Sequence, residues 1–370
     1  MIELQDIFSK YADEYLEQHN LSYVQSKAVS AIINCRTSAL GAHISRCDNC
    51  GHEKIFYNSC RNRHCPKCQT FAKEDWIDRQ KQNLLDRPYF HVVFTVPSEL
   101  NSIFFQNQQQ MYGLLFKAAS ETILELCADS KYLDAKPGIT AVLHTWGQNL
   151  SYHPHLHCVV TGGGLTALNT WKESRKKFFL PIKVLSKKFR GKFLYYLQKE
   201  NLRFYSGIAH LNNPLHFSTM LAEMYNTDWV LYCKPPFGSA QKVVDYLARY
   251  THRVAISNTR ILGEDDGRVS FKWRDYKDGD KQKTMSLSAM EFIRRFLLHV
   301  LPLGFRKIRH FGIFSSRNKK KRLKLCRRLT GTRFTLISET TEQRLERILG
   351  EDWNLCPKCK SGRLSRDPPF

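Results

Sequence analysis

The residues of this 370-residue chain best able to do chemistry are its 12 cysteines, 14 histidines and 16 tyrosines, and spacing sorts them. Cys47-x2-Cys50 and Cys65-x2-Cys68 are knuckles, each turning two thiolates toward one ion. Four thiolates in tetrahedral array select zinc, and the 14 residues between the knuckles (51–64) suit a zinc-ribbon loop. The spacing thus predicts one structural Zn2+ on Cys47, Cys50, Cys65 and Cys68. Cys35, His43, Cys60 and His64 share the stretch and form a candidate second zinc set; the alternative is that the histidines cap turns and Cys35 packs a helix. A closed tetrahedral site has no open coordination position, so its role is structural. Cys356-Pro357-Lys358-Cys359 is a third knuckle with no local partner, able to complete a zinc site from afar or to pair in a dimer. Cys127, Cys158, Cys233 and Cys326 stand alone and read as buried thiols.

A second constellation is Tyr152-His153-Pro154-His155-Leu156-His157-Cys158. On a strand, His155 and His157 share a face while Leu156 and Cys158 turn to the core. Two imidazoles on one face can bind a divalent ion. Gln148, His144 and His153 are candidates for a third ligand; Gln148 is preferred because a hard ion such as Mg2+ or Mn2+ favours oxygen. The third constellation is Tyr246 and Tyr250, four apart on a predicted helix and so one turn from each other. Such pairs commonly pack or stack. A phenol with pKa near 10 needs a metal or base to attack at neutral pH, and the histidine strand could supply that metal.

The elements that must position these groups follow from periodicity. Residues 1–34 read as helical, and 35–70 as a metal-stapled module too small for its own core. A connecting helix spans 71–85, a strand 90–96, and a helix runs from 98 or 101 to 128. Strands over 139–146 and 155–161 complete a β-α-β-β order, predicting an α+β domain around an antiparallel sheet. Gly162-Gly163-Gly164 reads as a turn, and no phosphate-binding G-x-x-x-x-G-K motif occurs. A helix is expected over 239–251, a hairpin over 268–287, and a capping box Ser288-Ala289-Met290-Glu291 opens a helix ended by Pro302. The segment 162–235 is less legible.

Net charge is +23, with 57 Lys and Arg against 34 Asp and Glu, which points to a polyanionic partner, most economically nucleic acid. Fourteen of the positive charges fall between Arg294 and Phe334, where no acid offsets them. Arg317, Lys319, Lys320, Lys321 and Arg322 read as phosphate-binding, and Phe305, Phe311 and Phe314 as stacking or core residues. At 42% hydrophobic residues the chain is no disordered basic tail. It shows no membrane span and no basic secretory leader, so a soluble, cytoplasmic, nucleoid-associated protein is expected.

In this order the parts resemble the two-tyrosine HUH rolling-circle transposases of bacterial insertion sequences. The carrying residues are Cys47, Cys50 and the run Ser59-Cys60-Arg61-Asn62-Arg63-His64-Cys65-Pro66-Lys67-Cys68, the triplet His155-Leu156-His157, and Tyr246-Leu247-Ala248-Arg249-Tyr250-Thr251-His252-Arg253. The likeness runs from about residue 20 to 320. It implies an HUH endonuclease domain with a central antiparallel sheet (89–262). A helical zinc-binding module would precede it (1–88), and a basic mixed α/β region with a terminal CxxC would follow (263–370). It also implies Mg2+ or Mn2+ on His155 and His157, Tyr246 and Tyr250 as nucleophiles forming 5′-phosphotyrosine, and single-stranded DNA of the element ends as substrate. Arg249 and Arg253 would contact that DNA, and Tyr250, nearer the basic Thr251-His252-Arg253, is favoured to act first. A homo-oligomer is allowed. The rival readings are a rolling-circle replication initiator and a zinc-ribbon nucleic-acid-binding protein without catalysis.

Overall fold

The computed structural model describes residues 2–175, 179–237, 242–243, 254–276, 278–333, 339–350 and 352–366. The chain divides into two compact units, each discontinuous: residues 1–75, 252–294 and 335–370 form one, and 76–251 with 295–334 form the other. This differs from the three consecutive segments expected (1–88, 89–262, 263–370), because antiparallel pairing returns the C-terminal end to the N-terminal module.

In the first unit, α1 (Leu4–Gln18) and α2 (Tyr23–Ile33) pack through buried Leu4, Ile7, Phe8, Ala28, Val29 and Ile32. Their 3.6-residue apolar spacing was readable directly. A three-stranded sheet follows from β1 (Ala42–Cys47) and β2 (Glu53–Tyr57), with β12 (Leu364–Arg366) on the far edge of β1 so that Cys47 pairs with Leu364. A second antiparallel sheet comprises β8 (Ile261–Asp265), β9 (Arg268–Asp275) and β10 (Lys281–Ser288). It realises the expected hairpin and adds one strand. Ser288 Oγ then accepts the backbone N–H of Glu291 at 3.2 Å, the capping bond that opens α8 (Ala289–Leu297).

The second unit is built on an antiparallel sheet with strand order β11 (Ile308–Gly312), β4 (Lys136–Trp146), β5 (Tyr152–Leu165), β3 (Tyr89–Thr95), β7 (Leu231–Phe237), with β6 (Trp171–Glu173) paired to β5. One face carries Phe90, Val92, Phe94, Leu156, Cys158, Val160, Ile139, Ala141 and Leu143. It buries them with residues of α4 (Asn101–Gln106), α5 (Gln108–Ala128) and α6 (Ile182–Leu197) in one large core. The opposite face carries the histidines. Here Tyr89, Val159, Val243, Phe314, Leu323 and Cys326 make a smaller buried cluster, to which α9 (Lys319–Thr330) contributes.

Gly162-Gly163-Gly164 is not a turn. The three residues lie inside β5, where a Cβ would come within 2.8 Å of Pro88 O, 2.7 Å of Trp171 Cζ2 and 2.7 Å of Lys136 C respectively. Glycine is required by the close approach of neighbouring backbone, not by chain reversal.

The reversal that sets the histidine strand is the turn between β4 and β5, where Leu150 is fully buried with φ +62°. This left-handed conformation is costly for leucine and is held from outside. His299 accepts from Thr145 Oγ1 through Nδ1 at 3.2 Å and donates through Nε2 to Leu150 O at 3.2 Å, and Arg295 donates to Asn149 O at 3.1 Å. Burial pushes the His299 imidazole down to about 4. Unfolding frees it to take up a proton below about 6.5, so its contribution is full above that pH and is lost as pH falls toward 4. From these values the loss between pH 7 and pH 5 is about 2 kcal/mol. Denaturant unfolding of His299→Gln at both pH values should show a pH-dependent loss smaller by about that amount. An unchanged loss would mean that the imidazole is already protonated in the fold.

Candidate functional site

The eight cysteines of the knuckle regions fall into two four-thiol sets, Cys35/Cys60/Cys65/Cys68 and Cys47/Cys50/Cys356/Cys359, with all sulfurs of a set within 4.8 Å of one another. This corrects both sets expected from spacing. Cys47 and Cys50 do not join Cys65 and Cys68; the C-terminal knuckle joins them instead. The β1–β12 pairing places Leu364 opposite Cys47 and so carries Cys356 and Cys359 to the same spot. Cys65 and Cys68 take Cys35, from just beyond α2, and Cys60. His43 sits on β1 stacked against Phe56, with ring centroids 5.6 Å apart, and the His64 backbone N–H donates to Asn62 Oδ1 at 2.9 Å. Neither histidine enters a thiol set.

The sulfur geometry fits a tetrahedral ion. At a Zn–S length of about 2.3 Å, the edge of a sulfur tetrahedron is about 3.8 Å. Cys35–Cys68 and Cys60–Cys68 stand at 3.6 Å, and Cys47–Cys359 and Cys50–Cys356 at 3.7 Å. Backbone amides aim at the same sulfurs, Asn62 N at Cys60 Sγ (3.5 Å) and Gly362 N at Cys359 Sγ (3.3 Å). The backbone amides of Ser361 and Gly362 hold the Cys359 thiol down to about 5. Gly362 has no room for a side chain, since a Cβ there would lie 2.5 Å from Cys47 Sγ. The lone thiols Cys127, Cys158 and Cys326 are buried, as expected, whereas Cys233 is only half-buried.

The second centre lies on the face of the large sheet opposite the helix-covered core. Register pairs His155 with Thr95 on β3 and His144 on β4, and His157 with Val93 and Val142, so the three imidazoles share one face. Their nitrogens lie within 4.8 Å of one another. His155 Nε2 and His157 Nε2 are 3.0 Å apart, matching adjacent positions of an octahedral ion at about 2.1 Å. His155 donates through Nδ1 to His153 O at 2.7 Å, which leaves its Nε2 lone pair directed at the cluster. His144 is buried, and its ring centroid lies 4.6 Å from that of His157. It therefore stands as the third imidazole of the group. Gln148, preferred from sequence, falls in the β4–β5 turn, and His153 serves through its carbonyl.

His91 is the residue that sequence reasoning missed. Its Nε2 is 3.0 Å from His157 Nδ1 with the rings stacked. Strand alternation alone, two residues before Val93, could have placed it on this face. Burial pushes His91 down to about 3 and His155 to about 4, so both stay neutral at pH 7; His155 keeps its Nε2 lone pair for an electrophile, while the Nε2 of His91 faces His157 Nδ1.

Tyr246, Tyr250, Arg249 and Arg253 lie outside the described residues. Among the basic residues, Arg317, Lys320 and Lys321 are exposed, while Arg322 is half-buried and donates to Gly312 O and Ser315 Oγ, bracing the loop before α9. Lys319 is half-buried. No helix among the described residues is long and apolar enough to cross a membrane.

Comparison with known proteins gives these centres a context. A family model described as "Transposase zinc-binding domain" matches residues 7–96, and one described as "Putative transposase" matches residues 138–322. The first spans the Cys35 set but stops well before Cys356; the second spans the histidine strand. The "Putative transposase y4qJ" of Sinorhizobium fredii is 47% identical over 98% of this chain and 94% of its own length. The transposase for insertion sequence element IS801 of Pseudomonas savastanoi pv. phaseolicola is 29% identical over 82% of this chain and 73% of its own. No solved structure matches.

If the thiols are partitioned as found, the protein binds two zinc ions, and cysteine variants removed in pairs read out the partition. Cys65→Ser with Cys68→Ser should lower zinc, measured by atomic emission, from two per chain to one. Cys47→Ser with Cys65→Ser should abolish both. The partition implied by spacing alone gives the opposite for the second pair, a loss confined to one ion.

Proposed function

This chain belongs to the IS91-type transposase family of insertion sequences, and we propose that it cuts and rejoins single-stranded DNA by tyrosine attack beside a divalent ion held on the histidine face. The observation that carries this reading is the convergence of His144, His155 and His157, with the two strand imidazoles 3.0 Å apart at Nε2 and one of them oriented by a backbone carbonyl.

His155 and His157 would hold Mg2+ or Mn2+ through Nε2, with His144 as third ligand. When bound, such an ion polarises a phosphoryl oxygen and offsets the negative charge that builds up on the attacked phosphate. The chain's own residues do the rest. The phenol oxygen of Tyr246 or Tyr250 attacks phosphorus in line, loses its proton, and forms the Tyr–O–P bond as the P–O3′ bond breaks, leaving a 5′-phosphotyrosine and a free 3′-OH. The ester keeps the energy of the broken bond, so rejoining needs no nucleotide cofactor. Two tyrosines let one hold the first strand while the other makes a second cut, as rolling-circle transposition requires.

Val243, which precedes Tyr246 and Tyr250 by three and seven residues in the sequence, is buried with Tyr89 and Val159 on the histidine side of the sheet. The two thiol sets would hold structural zinc and brace the module that grips element DNA.

The direct test incubates the zinc-loaded protein with Mn2+ and single-stranded oligonucleotides carrying the element ends, followed by denaturing gels. A covalent protein–DNA adduct is expected, lost in Tyr246→Phe/Tyr250→Phe and reduced by at least about 100-fold in His157→Ala. Binding without any adduct would leave a zinc-ribbon DNA-binding protein. His91 should act by holding the Nδ1–H tautomer of His157. His91→Phe should weaken Mn2+ binding by about 10- to 100-fold and change the His157 15N tautomer signature, with His91→Gln restoring part of both. Equal behaviour of the Phe and Gln variants would reduce His91 to packing.

A further inference from the structure

Beside β11 the second unit contains a cavity of about 720 Å3 lined by Arg306, Arg309, His310, Phe311, Ser316 and Lys319, among others. None of its lining residues is acidic. We propose that this cavity is a nucleotide subsite that takes one phosphodiester and its unpaired base from a single-stranded DNA segment, a reading that rests on the strand-transfer function above.

The argument begins with charge. Lys319 is half-buried, and burial holds its ammonium below the usual lysine value. Arg309 is likewise half-buried and lowered by burial and then by the neighbouring Arg306. Lys319 and Arg309 are drawn partly out of water, Arg306 and Arg309 repel one another, and no carboxylate stands in the cavity wall to pair with them. A phosphodiester supplies that negative charge from outside.

The wall also has a stacking side. The Arg309 guanidinium lies over the rings of Phe116 and Phe305, 4.5 and 5.1 Å from their centroids, which holds its plane fixed, and Phe311 is half-buried beside it. A fixed guanidinium plane and an aromatic ring suit a base free of its partner. His310, bonded to Thr140 Oγ1 at 3.1 Å and pushed down to about 4 mainly by burial, stays neutral and adds no charge. β11 pairs directly with β4, the strand that carries His144, so the cavity lies on the same sheet as the proposed cutting centre.

Fluorescence anisotropy of the full chain with labelled dT20, and with a 20-base-pair duplex, tests this over a range of salt. Lys319→Gln/Arg306→Gln should weaken dT20 binding about tenfold at 0.1 M salt and lower the salt slope by about 0.7, the value for one single-strand phosphate contact. The charge-matched control Lys183→Gln/Lys187→Gln, with both residues exposed on α6, should leave the slope unchanged. Cross-linking of 5-iodouracil in dT20 should map to the peptide 303–319. Wild-type slope and affinity in the Lys319/Arg306 variant, or an equal loss for duplex and single strand, would overturn the subsite. A wild-type protein that loads the pocket but forms no phosphotyrosine would instead defeat the strand-transfer reading alone.

Discussion

The antiparallel register of β3, β5 and β4 is the constraint on which the candidate centre depends. It sets His144 opposite His155 and sends every second residue of β5 to the same face, away from the helix-covered core. A slip of one residue would turn both strand histidines into the helix-covered core and bring Leu156 and Cys158 out. That core makes the slip expensive, because Phe94, Leu156 and Cys158 are fully buried on the other side. The apolar layer thus fixes the position of the polar one. The clamp of His299 and Arg295 on the β4–β5 turn holds the strand ends that carry His144 and His155.

The same logic of compensation governs the first unit. Its small sheet has little core beyond Cys47, Cys356 and Leu364, with Phe56 and Cys359 packed alongside. Folding there must draw on the thiol sets, as in small modules whose metal supplies the folding energy. Because Cys356 and Cys359 come from the far end of the chain, that set also joins the N-terminal module to the C-terminal segment. Ion pairs of Arg344 with Asp75 and of Arg347 with Glu74 run between the same two stretches. Being part-exposed, they add little by themselves.

How much of this could be read in advance depended on whether a signal was local. The helices of residues 4–33, the strand around Phe90–Thr95 and the histidine strand follow from periods of 3.6 and 2, which local sequence carries. The pairing of His155 with His157, and of Leu156 with Cys158 on the opposite face, needed only strand alternation. The thiol partition was not legible, because spacing reports which cysteines can turn together and says nothing about a strand returning from residue 364. His91 escaped for the same reason: its role is cross-strand, 66 residues from His157. The triple glycine misled because it ordinarily marks a turn, whereas here crowding by Pro88, Trp171 and Lys136 requires it. The helices of 182–197 and 214–226 were hidden by mixed lysine and aromatic residues whose apolar stripe declares itself only against the sheet.

Electron paramagnetic resonance of Mn2+ titrated into the zinc-loaded protein tests the central claim, that the histidine face is a divalent-ion centre. One Mn2+ per chain is expected, lost in His155→Ala and His157→Ala while zinc content and melting temperature stay at wild-type values. Mn2+ binding that survives both substitutions unchanged would place the ion elsewhere and contradict the account.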